Sequence, residues 1–247
     1  MIAGLRSKLA YLLRRRLGFP LQELALERLR GAGFDPGTIL DVGASYGLFA
    51  DEAWRLWPDA TIHCFEPEPD YVTQLARRAA SDPRLKVCGA LVGATASVEQ
   101  RYFHLPGGST ILEENTDRPE APTTTCGPPR TATMVTLDAY CAEHGLRPEF
   151  LKIDVQGYEL EVLKGAQDML ESVEVILTEV NHTELYKGVP LAAELIGWIA
   201  ARGYALHDIC NFMRRPRDGA LWQSDMVFVR HTSPLRRSEE RRVGTEC

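Results

Sequence analysis

The chain has 247 residues, of which 45% are hydrophobic and 25% charged, a length and balance that fit one α/β domain with additions and exclude an extended disordered chain. Its net charge of −6 provides no general basic field, so nucleic acid is not an expected partner. Six cysteines show neither a CxxC pair nor metal-ligand spacing, which excludes a disulfide framework and points to a reducing, cytoplasmic setting.

Residues 1–20 carry arginines on both sides of a very short apolar stretch, a poor signal peptide. The expectation is a helix packed on or preceding the domain; the alternative is a basic amphipathic helix making peripheral contact with an anionic membrane. No run in the chain approaches the roughly 20 apolar residues that span a bilayer. Leucines at helical spacing over 21–30, stopped by Gly31 and Gly33, complete an N-terminal helical extension over 1–34.

The main domain is expected over 35–230. Asp35-Pro36-Gly37 turns the chain into an apolar run, Ile39, Leu40 and Val42, followed by a glycine-rich turn and a helix from about Tyr46 to Trp57, ended by Pro58. Gly43 and Gly47 mark places where the backbone bends sharply or lies close to a ligand. The free N–H groups and positive dipole end of the following helix favour an anionic group there. A second strand, Thr61 to Glu66, ends in an acid at the place where nucleotide-binding α/β folds commonly hold a ribose diol. A helix over 70–80 and a third strand in LKVCGALVG, residues 85–93, continue the alternation. It predicts an α/β fold, a mostly parallel sheet with helices on both faces.

Residues 97–105 alternate as a strand, and 106–130 read as an irregular insertion that covers the cofactor or selects the acceptor. Thr136 or Asp138 caps the next helix. The stretch FLKIDV, residues 150–155, is a strand that delivers Asp154 to the sheet edge, with a helix over 159–170 after Gly157. SVEVILTEV, 172–180, is a strand with Glu179 near its tip, and His182 follows in a loop. A helix near 191–202 and strands near 204–209 and 225–229 close the domain, the last two pairing antiparallel. The tail, 231–247, is charged and expected to be disordered; its RSEERRVG string resembles translated vector sequence, which marks it as a candidate non-native addition.

Three stretches together, LDVGASYGLF at 40–49, FEPEP at 65–69 and LKIDVQGYELEVLKGA at 151–166, with VTLDAY at 135–140 before the third, resemble the FkbM-type family of S-adenosylmethionine-dependent methyltransferases. The resemblance implies a Rossmann-like class I sheet of about seven strands with the last inserted antiparallel. It also implies methyl transfer to a hydroxyl of a sugar, glycan, polyketide or other small metabolite. Ser45 stands where the family usually has Asn, and Gln156 where it usually has Glu. Serine still donates and accepts a hydrogen bond, whereas Gln156 removes a charge beside Asp154.

On this reading Gly43, Ala44, Ser45 and Gly47 wrap the methionine end of the cofactor, Asp41 meets its ammonium group, Glu66 takes the ribose hydroxyls, and Ala90 and Leu91 contact adenine or simply pack. A hydroxyl acceptor benefits from a positioned base. Asp154, Glu179, His182 and Glu159 are the candidates, although a charge at a helix start is the more ordinary role for Glu159. Asp154 with Glu179 or His182 is also a candidate site for a divalent metal. Ser109 and Thr110, in the insertion, are candidates for touching an acceptor hydroxyl. Two alternatives compete with the methyltransferase. A nicotinamide-linked oxidoreductase is disfavoured because G-x-x-x-G lacks the third element of G-x-G-x-x-G. A non-catalytic S-adenosylmethionine-binding scaffold is raised only by Ser45 and Gln156.

Overall fold

The apolar runs around Ile39, Ile62, Phe150 and Val175 become neighbouring strands of one sheet. The computed structural model describes residues 20–105, 108–115 and 127–236. Expectations for residues 1–19, for 116–126 of the insertion and for 237–247 of the tail lie outside these residues. The elements in chain order are α1 (Gln22–Gly31), β1 (Thr38–Val42), α2 (Leu48–Leu56), β2 (Thr61–Phe65), α3 (Pro69–Ala79), β3 (Leu85–Cys88), β4 (Leu91–Val92), β5 (Ser97–Leu105) and β6 (Gly108–Thr110). They continue with β7 (Arg130–Val135), α4 (Leu137–His144), β8 (Phe150–Ile153), α5 (Glu159–Lys164), a 3-10 turn (Met169–Glu171), β9 (Val175–Asn181), α6 (Ala192–Ala200), β10 (Tyr204–Arg214) and β11 (Leu221–Arg230).

Among the described residues the main sheet has seven strands in the order β10-β11-β9-β8-β1-β2-β3. Strands β3, β2, β1, β8 and β9 are parallel, and β11 lies antiparallel between β9 and β10. This is the expected Rossmann-like sheet with its inserted last strand. Neighbouring residues of each strand face opposite sides. Ile39 and Phe150 enter one core with α1 and α2, while Leu40, Leu151 and Ile176 enter the other with α5 and α6. The Phe150 ring meets Phe34, Phe49 and Trp57 edge-on, each at 5.7 Å. Leu26 and Leu29 of α1 belong to this same cluster, so the boundary expected at residue 35 runs through packed side chains rather than a linker.

Four local differences from the sequence reading have tertiary causes. LKVCGALVG splits into β3 and β4, which join different sheets, because β4 pairs with β7 instead of extending β3. A second sheet, β4-β7-β5-β6, takes up part of the expected irregular insertion. The helix expected over 159–170 breaks after Lys164, where a Cβ on Gly165 would lie 2.1 Å from the Gly93 carbonyl oxygen, so only a glycine backbone passes there. Strands β10 and β11 run well beyond the predicted 204–209 and 225–229, pairing up to Arg214 and Leu221. At α4 the cap is Thr136, whose Oγ1 accepts from the Ala139 N–H at 3.2 Å. Asp138 caps the 3-10 turn instead, accepting from the N–H groups of Asp168 and Met169 at 3.0 and 2.8 Å.

Candidate active site

The strand order reverses between β1 and β8, and the crevice past the carboxyl ends of such strands is where open α/β sheets bind ligands. Gly43 follows β1 with φ +79°, and a Cβ there would sit 1.8 Å from the Asp154 carbonyl oxygen. The two loops therefore touch main chain to main chain. Ser45, also left-handed at φ +48°, donates its N–H to Glu66 Oε2 at 2.9 Å, and Glu68 donates its N–H to Oε1 at 2.9 Å. Two peptide groups thus fix the Glu66 carboxylate at the cleft wall, where burial raises its pKa against the pull of those N–H groups. The expected free loop amides are otherwise engaged: Gly43 and Ala44 both donate to the Phe65 carbonyl. The loop offers a bare backbone surface rather than an anion-binding row of N–H groups.

One cleft, open to solvent, brings Gly43, Ser45, Glu66, Ala90, Leu91 and Asp154 together. Ser109 and Gln156 form its further wall. Ala44 and Gly47 do not line it; Ala44 is buried in the core, and Gly47, with φ +81°, packs where a Cβ would strike Arg78 and Leu75.

Asp41 is also away from the cleft surface. It is fully buried, 3.0 Å from Lys152 Nζ, which also donates to the Gly43 carbonyl at 2.7 Å and lies 3.9 Å from Asp154. Burial lowers the pKa of Lys152, but the carboxylates of Asp41 and Asp154 outweigh it and hold the ammonium charged. Asp41, expected to meet a ligand ammonium, here forms a buried ion pair with Lys152 beneath the loop. Lys152 escaped the sequence-based site list. Its signal was a lysine inside a buried aliphatic strand, which demands an acid partner; the β1–β8 register aligns it with Asp41.

Of the four candidate bases, only Asp154 reaches the cleft wall, with 43% of its side chain exposed. Glu159 is buried under its own loop, where Oε1 accepts from the N–H groups of Val155 and Gly157 at 3.2 and 2.9 Å. Burial pushes its carboxyl up to about 7, against those bonds. Glu179 lies behind Gln156; burial, then the carboxylates of Asp154 and Glu159, hold it well above the carboxylate range. His182 shares a 2.9 Å hydrogen bond between Nε2 and Ser224 Oγ, outside the cleft, and burial lowers its pKa.

A side-chain network links these groups. Gln156 Nε2 donates to Asp154 Oδ1 at 2.9 Å and to Glu179 Oε2 at 3.4 Å, while Tyr186 donates its hydroxyl to Gln156 Oε1 at 3.2 Å. Gln223 donates to Glu179 at 2.8 Å, and Thr110 Oγ1 donates to the Gln156 carbonyl at 2.8 Å, pinning β6 to this loop. An N–H donor therefore sits between the two carboxylates proposed as metal ligands, and donors repel a cation. Among the described residues no group of three or more His, Cys, Asp or Glu side chains is arranged to hold a metal ion.

Sheet order, antiparallel insertion and crevice together define a class I methyltransferase fold. A model of the methyltransferase FkbM domain matches residues 41–206, and the chain belongs to that family. It is 27% identical over 173 residues to the 2-O-methyltransferase NoeI of Sinorhizobium fredii (strain NBRC 101917 / NGR234), covering 65% of this chain and 70% of NoeI. It is 31% identical over 157 residues to the methyltransferase sdnD of Sordaria araneosa, covering 53% of this chain and 60% of sdnD. The crystal structure of methyltransferase FkbM from Methylobacillus flagellatus KT superposes with a TM-score of 0.50 at 18% identity, over 78% of this chain and 43% of that one. Family and fold imply S-adenosylmethionine as methyl donor. The cleft suits it: Glu66 presents an oriented carboxylate beside the apolar Phe65 and Leu91.

Proposed function

We propose that the chain methylates a hydroxyl oxygen of a small metabolite, sugar or glycan. S-adenosylmethionine supplies a methyl group activated on a sulfonium. Glu66 receives the ribose hydroxyls, Ala90 and Leu91 flank the adenine, and Gly43 and Ser45 form the surface against the methionine portion. Asp154 accepts the proton of the acceptor hydroxyl, oriented by the Gln156 amide at 2.9 Å. Ser109 Oγ, buried beside the cleft without a hydrogen-bond partner among the described residues, holds a second acceptor hydroxyl. The observation that carries this reading is the meeting of Asp154 with Gly43 and Glu66 in one cleft. NoeI, by its name a 2-O-methyltransferase, supports oxygen as the methylated atom.

The test is incubation of the chain with isotopically labelled S-adenosylmethionine and a panel of hydroxylated metabolites and glycans, read by mass spectrometry. Label on an acceptor oxygen is expected. Asp154→Asn should then lower kcat by about 10²–10⁴-fold with cofactor affinity nearly unchanged. Label on nitrogen or carbon overturns the proposal, as does full activity of the Asn variant.

A further inference from the structure

Beside the cleft lies a second pocket, and the same stretches of main chain wall both. Ser45 lines the cleft and Tyr46 the pocket; Pro67 lines the cleft and Glu68 the pocket. Ser109 of β6 lines the cleft, and its cross-strand partner on β5, His104, lines the pocket. Directly paired residues of an antiparallel ladder project from the same face of the sheet. A molecule seated on Ser109 therefore has the pocket as its continuation.

The pocket joins an aromatic wall to a polar rim. The rings of Tyr46 and Tyr71 pack with centroids 4.1 Å apart, and Tyr71 meets the His104 ring edge-on at 5.7 Å. Tyr46 is 44% exposed, so this row of rings opens to solvent at one end. Asp70, Gln74 and Arg77, spaced four and three residues apart on α3, share an exposed helix face along the rim. Arg130 of β7 completes the rim and pairs with Glu68 Oε1. The Glu68 side chain is only 3% exposed, and its other oxygen, Oε2, accepts no hydrogen bond among the described residues. His104 Nδ1 stands 3.4 Å from that oxygen and also makes no hydrogen bond among them. A buried carboxylate oxygen without a donor is costly, and a ligand hydroxyl supplies one when the half-exposed His104 ring turns aside.

This combination selects the chemistry of the occupant. Arg77 and Arg130 balance Glu68 and Asp70 in formal charge, so the pocket gives a phosphate or carboxylate no net attraction. Guanidinium and amide groups donate, and the carboxylates accept. A saccharide ring matches both features: its C–H face lies on an aromatic ring, and its hydroxyls donate and accept. We propose that the pocket is a second acceptor subsite, seating an uncharged sugar ring next to the one that is methylated. The proposal rests on methyl transfer to a hydroxyl in the cleft and narrows the acceptor to an oligosaccharide, with Ser109 and His104 on the path between its two rings.

The full chain, saturated with S-adenosylhomocysteine, is to be tested for binding to immobilised neutral mono-, di- and trisaccharides and to the same set carrying uronic acids. At least one neutral di- or trisaccharide should bind about ten-fold or more tightly than its component monosaccharides. Tyr46→Ala should weaken that binding by about ten-fold, and Glu68→Gln by about ten- to a hundred-fold. Both variants should keep the parent's affinity for S-adenosylmethionine within about a factor of three, because Glu68 reaches Glu66 through its main-chain N–H alone. Tyr46 is exposed, so Tyr46→Ala reports on the pocket even if Glu68→Gln fails to fold. Preference for the uronic-acid set, equal affinity for mono- and disaccharides, no neutral saccharide bound, or unchanged binding by Tyr46→Ala would each overturn the subsite. Binding is read without turnover, so any of these outcomes leaves methyl transfer to a smaller hydroxylated acceptor standing. Failure to find a methylated oxygen, in turn, leaves a saccharide bound in the pocket unaffected.

Discussion

The two halves of the main sheet build their sides of the cleft by different means. On the β1–β3 side, main chain near in sequence does the positioning: the N–H groups of Ser45 and Glu68 hold Glu66, and the Phe65 carbonyl holds Gly43 and Ala44. On the β8–β11 side, side chains far apart in sequence do it. Gln156 joins Asp154 to Glu179, Tyr186 holds Gln156, Gln223 holds Glu179, and Asn211 donates to Asp225 at 2.7 Å. Main-chain bonds survive most substitutions, whereas a buried side-chain network loses several partners with one. Single substitutions should therefore disturb the β8–β11 side more than the β1–β3 side.

Glu66→Ala attacks the first half where it is most local. Hydrogen bonds to a charged group contribute roughly 1.5–3 kcal/mol each. Two lost ribose contacts should weaken S-adenosylmethionine binding by about two to four powers of ten, measurable by calorimetry. The Ser45 and Glu68 N–H groups lose their acceptor but gain access to water, so the fold should persist. Cofactor affinity within a factor of three of the parent would remove Glu66 from the site.

Lys152 is the joint between the halves, touching Asp41 and the Gly43 carbonyl on one side and approaching Asp154 on the other. Lys152→Met leaves Asp41 buried without its cation. Breaking such a pair from one side costs about 3–5 kcal/mol. The melting temperature should fall by about 6–20 °C, and cofactor binding should fall with it because the Gly43 loop loses its anchor. A melting temperature within two degrees of the parent would show that Asp41 is not held as an ion pair.

This contrast also explains what could be read in advance. The β1 loop and Glu66 were legible because an apolar run, a glycine turn and a terminal acid lie within one βαβ unit and report on each other locally. The ion pair of Asp41 was not legible, because its partner, Lys152, is brought in by the β1–β8 register. Asp225 carried no signal at all, since only the insertion of β11 between β9 and β10 sets it opposite Glu179. Glu159 and His182 were the right residue types beside the right strands. Their side chains turn to a loop N–H pair and to Ser224, and no periodicity encodes that choice.

Asp225→Asn tests the electrostatics of the second half with a smaller effect. Burial, then the Asp154 carboxylate, pushes Asp225 up to about 7 from 3.8. A carboxyl raised in the folded chain contributes stability that is full below its unfolded pKa and lost as pH rises to its folded one. His63, lowered by burial to about 4 from 6.5, contributes with the opposite sign over much of that window. The parent's curve mixes both, but the difference between variant and parent isolates Asp225. That difference in melting temperature should shift in favour of Asn between about pH 4 and pH 7. A difference constant with pH would mean that Asp225 titrates as an ordinary aspartate.

Gln156→Glu asks whether the second half works as a proton-handling network. It restores the residue that the family usually carries and keeps an oxygen for the Tyr186 hydroxyl. The N–H donor 2.9 Å from Asp154 and 3.4 Å from Glu179 becomes a third carboxylate. Asp154 then loses the donor that orients it and faces a like charge, so kcat should fall by about ten-fold or more. Affinity for S-adenosylmethionine should stay the same, because Glu66 is fixed from the other half by main chain. If kcat is unchanged, Gln156 serves only to pack the loop, and the base must be sought elsewhere than at Asp154.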